Sequence, residues 1–84
     1  MKNNLYVLYN KESLRYGDVM SYPTDGFALS RLHEALKPES LRELELCRIG
    51  TIDIESAEVQ PCSPVRIAWR EVNLPVSPSA PVDK

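Results

Sequence analysis

The chain has 84 residues, enough for one small domain, and its hydrophobic fraction of 43% and charged fraction of 26% are ordinary for a globular protein. Its formal net charge of -2 argues against a general attraction to nucleic acid or to anionic membranes, but it leaves room for a local basic face. No run approaches the roughly twenty apolar residues of a membrane span. No export signal precedes Cys47 and Cys62, so we expect an intracellular protein without a structural disulfide.

The N-terminal part predicts one strand followed by a long connection. Residues 4–10, "NLYVLYN", alternate two sets of largely apolar, β-forming side chains, which indicates a strand with neither face strongly solvated. Residues 11–22 lack clean periodicity and predict a connection with a short extended piece at 18–21.

One amphipathic helix is predicted after residue 23. Thr24 or Asp25 suits its N-cap, because a side-chain oxygen there accepts an unpaired amide of the first turn. Pro38 disfavours helix at Lys37, and a short second turn is expected after it. The apolar stripe at three- and four-residue spacing is expected to be buried: Ala28, Leu29, Leu32, Ala35 and Leu36.

Two further strands follow the helix. Residues 44–53 predict the second strand, and Gly50 within it indicates a bulge or a close backbone approach. Residues 59–70 predict the third, whose first half should be an edge or irregular because Pro61 and Pro64 cannot donate to a ladder. Residues 75–84 place prolines at three-residue spacing and predict a polyproline-like, flexible tail.

The order β-α-β-β predicts an α+β domain over residues 1–74, with a three-stranded sheet and one amphipathic helix on one of its faces. A single short helix cannot cover both faces and both edges of such a sheet. We therefore expect self-association to close the remaining surface.

The sequence carries no phosphate-loop, dinucleotide, nucleophile-elbow or zincin motif. Its single histidine, His33, is expected on the solvated side of the helix. We therefore predict a protein that is not an enzyme and uses no cofactor and no metal.

The corner Thr24-Asp25-Gly26 has two interpretations. Amides at a helix start attract anions, which would allow a bound phosphate. Asp25, however, brings its own carboxylate, which would take those amides and repel a phosphate. The capping interpretation is therefore favoured.

A basic and aromatic set is the remaining candidate site. Arg66 and Arg70 share a strand face, Arg48 lies mid-strand where it could join them across the sheet, and Tyr6 and Tyr9 are available to stack on bases. Proteins that bind single-stranded DNA without sequence preference combine such residues. The same residues also fit a solvated face beside an aromatic core, and Trp69, in phase with Val65 and Ile67, is expected in that core.

Several motifs in order give the chain a family resemblance. They are "LYVLYNKES", "YPTDGFALSRLHEAL", "LELCRIGTID" and "AEVQPCSPVRIA", over residues 4 to 68. The set resembles the small nonstructural protein of gokushovirus-type microviruses, which are single-stranded DNA phages. Ile52 departs from the pattern, where an aromatic residue would be expected.

The resemblance implies a nonstructural accessory of viral DNA replication or single-stranded DNA synthesis in the host cytoplasm. It supplies no catalytic residue. One hypothesis is a homo-oligomer that contacts single-stranded DNA through the arginines and tyrosines. The alternative is an adaptor that modulates the replication initiator, the procapsid or a host factor without touching DNA.

Overall fold

The computed structural model describes residues 1–69, which form a curled antiparallel sheet with two short helices. The strands are β1 (Lys2–Asn10), β2 (Arg15–Tyr16), β3 (Met20–Tyr22), β4 (Leu44–Asp53) and β5 (Val59–Ile67). The helices are α1 (Asp25–Ala35) and α2 (Pro38–Leu41), which lie between β3 and β4 in the chain. The predicted α+β class is confirmed. The predicted tail, residues 75–84, lies outside the described residues.

The three-stranded sheet of the prediction is wrong, because the structure has a five-stranded sheet. The strand order is β2-β1-β4-β5, and β3 also pairs with β1. Both additional strands lie in segment 11–22, for which the sequence predicts a connection with a short extended piece at 18–21. Strand β3 overlaps that extended piece, whereas β2 has no counterpart in the prediction. They contain only 2 and 3 residues, and both run antiparallel to β1. Such short pieces become strands because β1 offers them an open edge, not because their own sequence alternates.

The helix α1 begins where the sequence predicts. Thr24 is the N-cap, and its Oγ1 accepts from the amide of Phe27 at 3.1 Å. The predicted stripe is buried at Ala28, Leu29 and Leu32. Ala35 is exposed, contrary to the prediction, because it is the last residue of α1 and the chain turns extended at Leu36.

A cluster between α1 and one sheet face forms the core: Tyr6, Ala28, Leu29, Leu32, Leu46 and Ile67. Trp69 packs against this cluster with part of its surface, as the sequence predicts. We call the sheet face that contributes Tyr6, Leu46 and Ile67 the helix face. The opposite face, which carries Val7, Tyr9, Glu45, Cys47 and Arg66 because side chains alternate along a strand, is the far face.

Gly50 lies where the ladder shifts register, as the sequence predicts. The pairing of β4 with both of its neighbours shifts between Arg48 and Gly50. A Cβ at position 50 would lie 2.4 Å from the carbonyl oxygen of Gln60 in β5. Only a residue without a Cβ therefore lets β5 approach β4 this closely.

Candidate nucleic-acid interface

The two described arginines of the predicted basic set lie on opposite faces of the sheet. Arg48 stands opposite Val65 in the β4–β5 ladder, and Arg66 stands opposite Cys47. Arg48 therefore points to the helix face and Arg66 to the far face. The prediction that Arg48 joins Arg66 on one surface is wrong, because register, which the parity of a single strand does not reveal, sets which residues are neighbours. Arg70 lies outside the described residues.

Arg48 belongs to a polar network at the margin of the core. Its Nη1 donates to Oδ2 of Asp25 at 2.5 Å, and the hydroxyl of Tyr6 donates to Oδ1 of the same carboxylate at 2.6 Å. The amide of Asn4 donates to the Tyr6 hydroxyl at 3.0 Å. The network ties β1, β4 and the start of α1 together.

The network lowers the pKa of Asp25 and contributes to the raised pKa of Tyr6. Partial burial alone would raise the pKa of Asp25, but hydrogen bonds from Tyr6 and Arg48 outweigh it, and the net pKa is lowered. Burial, followed by the hydrogen bond to Asp25, raises the pKa of Tyr6 to about 12. Asp25 is therefore a carboxylate and Tyr6 a neutral phenol near neutral pH.

This geometry corrects the prediction for the Thr24-Asp25-Gly26 corner. Thr24 is the cap, as predicted, but Asp25 is the first residue of the helix and its carboxylate does not cap it. Both oxygens of Asp25 accept from Tyr6 and Arg48 instead. Its negative charge nevertheless interacts favourably with the positive end of the helix dipole.

The far face brings together the two predicted residues that remain, Tyr9 and Arg66. Tyr9 pairs with Tyr16 across β1 and β2, and their ring centroids lie 4.8 Å apart. Tyr9 also stands opposite Glu45 in β4, whose Oε2 accepts from Nη1 of Arg66 at 2.7 Å. A row of side chains thus crosses the sheet from β2 to β5: Tyr16, Tyr9, Glu45 and Arg66.

The two arginines also differ in the solvent exposure of their side chains. The Arg66 side chain is 66% exposed, whereas that of Arg48 is 29% exposed. The hydrogen bond and charge of Glu45 raise the pKa of Arg66, so the guanidinium stays charged. An ion pair this exposed contributes little to stability, and Arg66 can exchange Glu45 for another anion at low cost.

The middle of the far face is apolar. Val7 and Cys47 are buried, and neither belongs to the cluster beneath α1. Burial, with the charge of Glu45 as a smaller contribution, raises the pKa of the Cys47 thiol, whereas Cys62 is exposed. Both cysteines carry free thiols. On the far face, aromatic and basic side chains therefore surround an apolar centre formed by Val7 and Cys47.

Two members of this arrangement were missed by sequence reasoning. Glu45 is three residues from Arg48 in the chain, and nothing in the sequence shows that it pairs with Arg66. Lys11 follows β1, and its backbone amide donates to the carbonyl of Glu43 at 2.8 Å, which fixes it beside the start of β4. Both placements depend on which strands are neighbours.

No protein-family model matches the chain, and neither a curated protein nor a solved structure matches it. Within residues 1–69, no helix is long and apolar enough to cross a membrane. The same part of the chain contains no group of three histidine, cysteine or acidic side chains that could hold a metal ion.

Proposed function

We propose that this protein is a non-enzymatic accessory of viral DNA replication or single-stranded DNA synthesis, and that it contacts single-stranded DNA through the far face. The setting, a microvirus in its host's cytoplasm, comes from the resemblance of residues 4 to 68. The contact is supported by one observation: Arg66, Tyr9 and Tyr16 share a sheet face on which Arg66 and Tyr16 are exposed.

The chemistry of these side chains suits an unpaired strand. Bases without a partner stack on aromatic rings, and each stacked base contributes about 1–3 kcal/mol in single-strand binders. Arg66 supplies a guanidinium that can pair with a phosphate. Arg48 and Tyr6 take no part in the proposed contact, because Asp25 already binds both on the other side of the sheet.

Fluorescence anisotropy with a labelled single-stranded oligonucleotide tests the proposal. Arg66→Glu should abolish most of the binding seen at low salt. Arg31→Glu is the matched control, because Arg31 is exposed on α1 and its reversal changes the net charge equally. Equal losses in both variants would show a general charge effect, and no binding by the wild-type protein would refute DNA contact.

Salt dependence provides a second readout of the same contact. If Lys11 and Arg66 neutralise two phosphates, log K should fall with log salt concentration with a slope of about -1.4, as for two contacts on a single strand. A slope near zero would contradict a phosphate contact.

A second candidate, an adaptor that binds proteins and not DNA, is favoured by a different observation. Arg48 and Arg66 each already have a carboxylate partner, while Phe27 and Val65 are 47% and 41% exposed. Paired charges and exposed apolar side chains suit a protein partner such as the replication initiator, the procapsid or a host factor. Pull-down from infected cells with and without nuclease separates the candidates, since only an adaptor retains its partner after nuclease treatment.

Self-association is part of the proposal. Edge-to-edge pairing is disfavoured, because Pro61 and Pro64 lie in the edge strand β5 and the opposite edge consists of the short strands β2 and β3. We therefore expect copies to meet through side chains. Light scattering that finds only monomer at micromolar concentration would remove self-association from the proposal.

A further inference from the structure

A groove at one end of the sheet is lined by both Arg66 and Lys11. Its volume is about 660 Å³, within the range of small-molecule sites. Apolar side chains of α2, β4 and the end of the described chain form part of its wall, and charged side chains complete it. The residues that matter for its chemistry are Leu41, Leu44, Trp69, Lys11, Glu45 and Arg66.

Trp69 gives this groove an aromatic wall that is held in place. Its indole Nε1 donates to the carbonyl of Leu44 at 2.9 Å, and the ring of His33 meets it edge-on at a centroid distance of 5.7 Å. Trp69 also packs partly against the core cluster. A ring fixed on several sides loses little conformational freedom when a ligand stacks on it.

The charges around the groove favour an anionic ligand with polar edges. Among the described residues that line it, Lys11 and Arg66 carry two positive charges and Glu45 carries one carboxylate. Arg66 donates to Oε2 of Glu45, which leaves lone pairs on that carboxylate for the amino or imino hydrogens of a base. An aromatic wall, two cations and one acceptor together match a nucleotide.

We propose that this groove takes one unstacked base of single-stranded DNA against the indole of Trp69, with Lys11 and Arg66 on the flanking phosphates. The proposal rests on the proposed function and adds the place where the strand is gripped. Tyr9 and Tyr16 lie along the row that leads to Arg66, so the strand would run from these tyrosines into the groove. A duplex does not fit this description, because its bases are stacked and paired.

The protein's single tryptophan makes the test direct. Titration of the full-length protein with an oligo(dT) should quench Trp69 emission at least twofold as anisotropy reports binding. An abasic oligonucleotide of the same length has the phosphates but no bases, so it should bind more weakly and leave the emission unchanged. Lys11→Ala should weaken oligo(dT) binding several-fold, while Lys37→Ala, an exposed control at the start of α2, should not.

Each contrary outcome has a separate meaning. Oligo(dT) binding without quenching would overturn the groove and leave the proposed function standing. Equal quenching by the abasic strand would also overturn it, because the base would not be the stacked group. Emission that changes with protein concentration but not with DNA would assign the groove to a second copy of the chain. No binding of either oligonucleotide would overturn both the groove and DNA contact.

Discussion

The two faces of the sheet carry nearly the same kinds of residue in different surroundings. Each has an arginine paired with a carboxylate and a tyrosine of β1 near that pair. On the helix face, Arg48, Asp25 and Tyr6 share one network at the margin of the core. On the far face, the exposed Arg66 pairs with the partly buried Glu45 beside Tyr9 and Tyr16.

The difference shows that residue type alone does not assign a role to these side chains. The Asp25 carboxylate is satisfied by a phenol and a guanidinium, and breaking that network leaves partly buried polar groups without partners. The Glu45–Arg66 pair gives up less when it opens, because the Arg66 guanidinium is largely exposed and water can replace Glu45 around it. The helix-face pair therefore serves stability, and the far-face pair is the one for which we propose a role in binding.

The largest expected difference between the faces is in packing. Leu46→Ala removes a fully buried side chain from the core and should lower the free energy of unfolding by about 2–5 kcal/mol. Val7→Ala on the far face removes less apolar surface outside that cluster and should cost clearly less. Urea denaturation of both variants measures the difference, and equal losses would mean that the far face contributes as much to the core as the helix face does.

The next effect tests the close approach of β5 to β4. Gly50→Ala places a Cβ against the backbone of Gln60 and should cost about 1–3 kcal/mol through local overpacking. Gly26→Ala is the matched control. Within residues 1–69, a Cβ there would meet no atom within 4 Å apart from its chain neighbours and the backbone of its own helix, and alanine favours helix. In thermal denaturation, Gly26→Ala should have the highest melting temperature, wild type the next and Gly50→Ala the lowest. A Gly50→Ala variant as stable as wild type would contradict the strand spacing.

Removal of the arginine from each ion pair should have different effects, on stability for Arg48 and on oligonucleotide binding for Arg66. Arg48→Met removes one donor from Asp25 and should cost about 1–2 kcal/mol, reduced from the usual value for a charged hydrogen bond because the site is partly exposed. Arg66→Met should leave stability near that of wild type while weakening oligonucleotide binding. Denaturation and anisotropy on both variants check this, and the reverse pattern would exchange the roles of the two faces.

The smallest expected effect is the loss of the stabilising contribution of Asp25 at low pH. Because the pKa of Asp25 is lower in the folded protein than in the unfolded chain, its stabilising contribution is present above about pH 4, the unfolded value for aspartate. It is lost as pH falls through the folded pKa. Asp25→Asn should therefore be less stable than wild type at pH 6 and should lose less stability on going to pH 3. Parallel stability curves for the two proteins would show that Asp25 is not stabilised in the fold.

The sequence predicts the elements whose own pattern specifies them. The second predicted strand, residues 44–53, has the bounds of β4, and the stripe of α1 is buried at Ala28, Leu29 and Leu32. Gly50 lies at the shift in register because a strand tolerates an interior glycine best where backbones approach. Local periodicity and local backbone chemistry determine these features.

The remaining features of the fold and of the candidate site depend on which strands pair in the sheet and in which register, and the sequence does not show this. The strands β2 and β3 exist only because β1 pairs with them. The separation of Arg48 from Arg66 follows from the pairing of Leu46 with Ile67, which no single strand reveals. Asp25 meets Arg48 across 23 positions in the chain, so the candidate site could be predicted as a set of residues but not as a surface.

Amide chemical-shift mapping shows directly whether the far face binds single-stranded DNA, as we propose. A titration of the labelled full-length protein with oligo(dT) should shift the amides of Tyr9, Tyr16 and Arg66 progressively. The amides of α1 from Ala28 to Arg31 should stay in place. Shifts confined to α1, or an unchanged spectrum at low salt, would contradict DNA binding by the far face.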